Sequence, residues 1–183
     1  MRARIAVVVA IGIAGAAALA AGHWTERGEA VSAPPAAWTE APWPFLMDQW
    51  GTGTAFRCQA ADCGAEIVLY LRPKIGFCNC ATGIADDAEL ERVADVSLLD
   101  DRYTALAEGK PIKVGHMQGR SRAYVVERAA RDKVLAIAFN EGCDVIVATA
   151  VVAHAQPVAF EPAVLAFLNG DTVLRWAELK LGL

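Results

Sequence analysis

The stretch Asp144-Val145-Ile146-Val147-Ala148-Thr149-Ala150-Val151-Val152 constrains the fold more than any other. Its residues are almost all apolar and mostly β-branched. That composition suits a strand better than a helix, because branching at Cβ fits the pleat. A strand with no polar alternation has no face to offer water. It therefore predicts a central strand covered on both faces, inside a sheet that has other layers against it.

The rest of the chain reads as more strands and a few helices. Thr54–Cys58 and Glu66–Leu71 are short β segments, with Pro73-Lys74 as the expected turn and Ile75–Cys78 as a return strand. Ile112–Gly115, Ala123–Glu127 and Val134–Phe139 are further strands, and Asn140-Glu141-Gly142 supplies a turn into the apolar run. Asp86–Leu99 reads as a helix. Asp86 stands at the cap and Glu89 three residues on, while Leu90, Val93, Ala94 and Ser97 share a face. Its acidic residues Asp87, Glu91 and Asp95 are expected on a solvated face. The C-terminus admits two readings. Ala163–Leu168 and Asp171–Leu181 form either a hairpin on Asn169-Gly170 or two helices, with Pro162 in a first turn and Gly170 as a stop. The abundance of Ala, Leu, Glu and Lys favours helix. The fold class is thus α+β: an antiparallel sheet of about six strands, an inserted capped helix and a helical C-terminus.

The N-terminus carries a different signal. Arg2 and Arg4 precede Ile5–Gly22, which holds no charge, and His23-Trp24-Thr25-Glu26-Arg27 ends the run. Ala18-Leu19-Ala20 is a small-x-small pattern that suits a cleaved signal peptide. The length, and Trp24 at the expected interface, suit a retained transmembrane anchor. The strong insertion formers are Ile5, Val7, Val8, Val9, Ile11, Ile13 and Leu19. At about -0.3 to -0.6 kcal/mol each they sum to roughly -2 to -4 kcal/mol, so an anchor is marginal. Either way the remainder of the chain is expected in the periplasm or on the extracytoplasmic face. The expected organisation is a signal peptide or anchor over 1–22, a Pro/Trp-rich linker over 23–50 and one exported domain over 51–183. Within the linker, Trp38, Trp43 and Trp50 are expected to cap the domain's own core.

Export decides how the cysteines are read. Cys58, Cys63, Cys78, Cys80 and Cys143 are candidates for disulfides in an oxidising compartment, and five is an odd number. Cys58 and Cys63 flank a short connection between strands. A link from Cys78 or Cys80 to Cys143 would close a long loop and restrict the unfolded chain more. It would also leave the other cysteine beside a disulfide, where thiol exchange can occur. The competing reading makes Cys78 and Cys80 soft ligands for copper, with Met47, Met117 and His116 supplying further donors.

Catalytic patterns are hard to find. No Gly-x-Ser-x-Gly, His-Glu-x-x-His, phosphate-binding loop, EF-hand loop or Cys-x-x-Cys stands in the chain. Gly51-Thr52-Gly53 reads as a turn, and His154 as a residue closing a strand. No cofactor is expected. The net charge of -4 argues against nucleic acid and anionic membranes, leaving the N-terminal segment as the only expected membrane contact. One charge asymmetry stands out. Residues 110–133 are rich in Lys and Arg, and residues 86–108 in Asp and Glu. The two blocks either face each other or form a docking surface. In the second case Arg120 and Arg122, in a glycine-flanked loop, would bind an anion or an envelope protein partner. The sequence thus reads as an exported, disulfide-containing, non-catalytic binding or accessory protein of the cell envelope. The alternative is a thiol-based copper or redox protein.

Overall fold

A computed structural model describes residues 37–127, 132–152 and 160–183. The signal or anchor segment, His154, Arg128 and Arg131 lie outside the described residues.

The apolar run forms β8 (Asp144–Val152), whose neighbours are β3 (Ile67–Lys74) and β7 (Asp132–Glu141). The sheet continues past β3 to β2 (Thr54–Cys58) and β1 (Trp38–Ala41), and past β7 to β6 (Met117–Val126). Both β4 (Tyr103–Ala105) and β5 (Lys110–Val114) pair with β6, giving an eight-stranded sheet in which every pairing is antiparallel.

Period-two alternation divides the side chains between two covered faces. One face carries Ile67, Leu69 and Leu71, then Ile146, Ala148 and Ala150, then Leu135, Ile137 and Phe139. They pack on Val164 and Leu168 of α3 (Glu161–Leu168) and on Val173 and Ala177 of α4 (Asp171–Leu181). The other face carries Val145, Val147, Val134, Ala136, Ala138 and Tyr124. Leu90, Val93, Val96, Leu99 and Phe45 cover it. The central strand is therefore enclosed from both sides, and Val145 to Ala150 are all buried.

Three local differences from the sequence reading have physical causes. First, β3 runs through Pro73 instead of turning there. The β2 pairing ends at Thr54 opposite Leu71, so Pro73 has only β8 beside it, and a missing N–H is tolerated at a strand with one open side. Ile75–Cys78 is consequently no return strand but the start of the covering layer. Second, the helix after Asp86 is shorter than its periodicity suggests. Asp86 Oδ1 accepts the Glu89 N–H at 2.9 Å, as a cap should, but α2 stops at Val93 because Ala94 is extended. A 3-10 turn, Val96–Leu98, follows. Third, Trp38–Ala41 belongs to the sheet, although that stretch reads as linker.

The tryptophans do cap the core. Trp38 stacks on Phe167 at 4.5 Å, Trp43 meets Phe45 and Tyr70 edge-on, and Trp50 lies against Phe77. Gly53 follows from this arrangement, since a Cβ there would overlap the Trp43 indole and the Leu71 carbonyl. At the C-terminus Asn169-Gly170 links two helices. The Asn169 side chain accepts the Gly115 N–H at 2.9 Å and donates to the Leu165 carbonyl at 2.9 Å. No helix among the described residues is long and apolar enough to cross a membrane.

Candidate functional site

The cysteines come together at two places. Cys58 closes β2 and bonds Cys63 of α1 (Ala60–Cys63), with α-carbons 6.1 Å apart, so the connection to β3 is stapled. Cys80 bonds Cys143, the residue after Gly142 in the β7–β8 turn, with α-carbons 4.2 Å apart. This second link joins residues 63 positions apart. In the chain-entropy account it contributes about 4 kcal/mol and the short link about 2 kcal/mol.

Cys78 is the free cysteine and is buried. Its N–H donates to the Cys143 carbonyl at 3.0 Å, and its thiol donates to the Gly142 carbonyl at 3.3 Å. Burial, and after it the Asp144 carboxylate, push the Cys78 thiol up, so it rests protonated.

This arrangement corrects the copper reading. The Cys80 sulfur is already bonded, so Cys78 and Cys80 do not present a thiolate pair. The other donors lie elsewhere: Met117 is buried against the helical pair, Met47 is exposed, and His116 faces Glu141 at 3.4 Å. Among the described residues no three His, Cys, Asp or Glu side chains gather where they could hold a metal ion.

The arginines also sit differently from the sequence reading. Arg120 and Arg122 belong to strand β6, and only Gly115-His116 makes the turn before it. Two apart on a strand, they share a face, and α2 lies over that face. Arg120 Nε pairs with Asp87, and its Nη2 donates to the Gly109 carbonyl at 2.9 Å. Arg122 donates to Glu91 at 2.5 Å and to the Ala107 carbonyl at 2.8 Å. Asp87 also accepts the Gly109 N–H at 3.0 Å. That bond and then the Arg120 guanidinium hold its carboxyl below the usual carboxylate value. The basic and acidic blocks thus meet within the fold through Arg120 with Asp87 and Arg122 with Glu91; Glu91 stays exposed, whereas Asp87 is half-buried and Asp95 buried.

Asp95 shows this most strongly. It is 7% exposed and accepts Arg72 Nε and Nη2, both at 2.6 Å, and Lys74 Nζ at 2.8 Å. Arg72 Nη1 also reaches both oxygens of Asp48, at 2.8 and 2.7 Å. Lys74 donates to the Val93 carbonyl at 2.6 Å and lies over the Trp50 and Phe77 rings. Burial lowers the Lys74 ammonium below its ordinary value, with Asp95 opposing that shift. Burial alone would raise Asp48, but the Arg72 guanidinium and the Trp50 N–H outweigh it and hold that carboxyl low. The cluster escaped the sequence reading, yet it left a signal. Arg72 and Lys74 sit two apart at the end of an apolar strand, so both must point into the same covered face and need a counter-charge there.

Among the described residues, clefts open to solvent at two parts of the surface. One, of about 320 Å³, is lined by Leu106, Ala123, Leu135, Phe160 and Pro162, with Lys133 and Glu161 beside them. A narrower cleft shares Ala123, Leu135 and Glu161 with it, and there Ser121 donates to Glu161 at 2.7 Å and Lys110 pairs with Glu161 at 3.4 Å. The other, of about 400 Å³, is polar and borders the long disulfide, with Cys80, Thr82, His116, Gln118, Asn140 and Glu141 around it. Comparisons with protein-family models, with curated proteins and with solved structures find no match to this chain.

Proposed function

We propose that this is an exported domain of the cell envelope, matured in an oxidising compartment, that acts by binding and not by catalysis. The observation that carries the reading is the Cys80–Cys143 disulfide. A link that ties an irregular covering segment to a sheet turn across so long a loop is of use only where thiols are oxidised. The basic N-terminal start followed by Ile5–Gly22 supports the same compartment. Binding is favoured over catalysis because the polar groups that stand out in the sequence are spent inside the fold. Cys80 and Cys143 are bonded to each other, and Arg120 and Arg122 are paired with Asp87 and Glu91. The apolar cleft beside α3 is the surface best suited to a ligand or partner, being concave, mostly apolar and edged by a few charges.

The test is a reporter fused after Leu183 that matures only outside the cytoplasm. It should be active on the full chain and inactive when residues 2–22 are deleted. Denatured protein from the envelope fraction should then show one free thiol among its five cysteines. An active reporter on the truncated chain, or five free thiols in envelope protein, would overturn the proposal.

A further inference from the structure

We propose that Cys78, Cys80 and Cys143 form a thiol–disulfide exchange site. In it the buried Cys78 thiol displaces Cys80 from Cys143 and releases Cys80 as a surface thiol. This goes beyond a binding role, and it does not depend on what the clefts bind.

The argument starts from placement. The Cys78 N–H bonds the Cys143 carbonyl and its thiol bonds the carbonyl of the preceding residue, Gly142, so its sulfur lies beside the Gly142–Cys143 peptide. With one covalent bond from the Cys78 nitrogen to its α-carbon and two from the Cys143 oxygen to its own, this 3.0 Å bond puts the two α-carbons roughly 5 to 6 Å apart. That lies inside the span of about 4.4 to 6.8 Å that a disulfide bridges. Cys143 therefore has two cysteines within reach, and the observed link to Cys80 is one of two that the backbone allows. The two alternatives close loops of nearly equal length, so they restrict the unfolded chain equally.

The step balances without any outside reagent. Cys78 loses its proton and its thiolate attacks Cys143 Sγ. The Cys80–Cys143 bond breaks as the Cys78–Cys143 bond forms, and Cys80 leaves as a thiolate that takes up a proton. One thiol and one disulfide are present before and after.

What changes is where the thiol stands. Cys78 is buried among Ile84, Leu90, Val93 and Val145, whereas Cys80 is exposed and borders the polar cleft with His116 and Glu141. The exchange thus moves a thiol from a covered position to an accessible one, where an external disulfide can meet it. Burial of Cys78 sets the pace, because its thiolate forms rarely while the thiol is covered.

Two measurements test the site. In the first, native wild-type protein and Cys78→Ser are incubated with iodoacetamide, and the alkylated positions are mapped by mass spectrometry. The wild type should gain label at Cys80, with Cys78 and Cys143 recovered as one linked peptide, and Cys78→Ser should lose that labelling entirely. Label on Cys78 itself, no label at all on the native wild type, or Cys80 labelling that persists in Cys78→Ser would overturn the proposal. In the second, Cys80→Ser is folded under oxidising conditions. It should show no free thiol and a Cys78–Cys143 link, and two free thiols in the folded variant would overturn the proposal. If Cys80→Ser does not fold, the labelling measurement decides alone.

Discussion

Replacing Asp95 with Asn should destabilise the protein more than any other single polar change discussed here. Asn keeps the shape of the side chain but removes its charge and puts an N–H₂ where a carboxylate oxygen stood. Arg72 presents two donors to Asp95 and Lys74 a third, all at 2.6 to 2.8 Å. After the change at least one of these meets another donor. Arg72 and Lys74 are 3% and 4% exposed, so water cannot replace the lost partner. Arg72 retains Asp48, but Lys74 retains only the Val93 carbonyl and two ring faces. Breaking a buried ion pair from one side costs about 3 to 5 kcal/mol. That is a large fraction of the roughly 5 to 15 kcal/mol that holds a typical domain. The measurement is urea unfolding of the oxidised protein, with the slope unchanged and the midpoint lowered. A second variant isolates the cause: Arg72→Met, Lys74→Met and Asp95→Leu together remove the whole buried set and leave Asp48, 37% exposed, to water. It should lie closer to wild type than Asp95→Asn does, because apolar replacement of a complete buried set is often neutral. A loss below about 1 kcal/mol for Asp95→Asn, or a larger loss for the triple variant, would refute the reasoning.

Two further outcomes follow from the same charge map. Changing Arg120 and Arg122 together to Gln should lower stability by about 1 to 3 kcal/mol, because both guanidiniums bond groups of the covering layer; an unchanged melting temperature would return them to the surface. Asp48 and Asp87 both have carboxyls held below their ordinary value of 3.8, so their contribution is complete above that pH and is lost as pH falls through the lowered values. The stability gap between wild type and Asp87→Asn should therefore narrow from pH 7 to pH 3, and a constant gap would contradict the assignment.

What could be read from the sequence was set by how far each signal reaches along the chain. Strand β8 was legible because its evidence is local and redundant, with Val145, Ile146, Val147 and Thr149 all branched at Cβ and no charge between Val145 and Val152. The capped start of α2 was legible for the same reason, since Asp86 and Glu89 stand at fixed spacing. Its end was not. Nothing between Glu91 and Leu99 forbids helix, and the break at Ala94 follows from Asp95 turning inward to Arg72 and Lys74, a contact across 23 positions. The acidic face misled in the same way. Asp87 and Asp95 look like residues for water until β6 and β3 bring Arg120 and Arg72 beneath them, while Glu91 stays exposed and pairs with Arg122. That the opposed charge blocks face each other was one of the two arrangements the composition allowed, and only the register of β6 under α2 decides it. Among the cysteines, the spacing suggested Cys58–Cys63. It could not choose between Cys78 and Cys80 for Cys143, because the choice depends on how the chain leaves β3 after Lys74, where the expected return strand does not form.

The covering layer explains why so much polar chemistry is used internally. The other face of the sheet is closed by two helices whose buried residues, Val164, Leu168, Val173 and Ala177, mesh with a continuous apolar surface. On this face the cover is one short helix, a 3-10 turn and connecting chain. Its apolar contacts fall into two smaller clusters, around Leu90 and Val93 and around Val96 and Leu99. Such a layer buries less per residue and would open readily if burial alone held it. It is fastened instead at separate points along its length. Cys80 bonds it to the β7–β8 turn, Asp87 and Glu91 to β6, and Asp95 to β3. Each of these fastenings joins a residue of the layer to a partner at the sheet. Reducing the disulfide therefore removes the fastening that comes first along the layer, at Cys80, while leaving the ionic ones in place. The segment from Ile75 to Asp86 should then exchange its amide hydrogens faster than α2 does, and equal rates across the whole layer would mean that it opens as one unit.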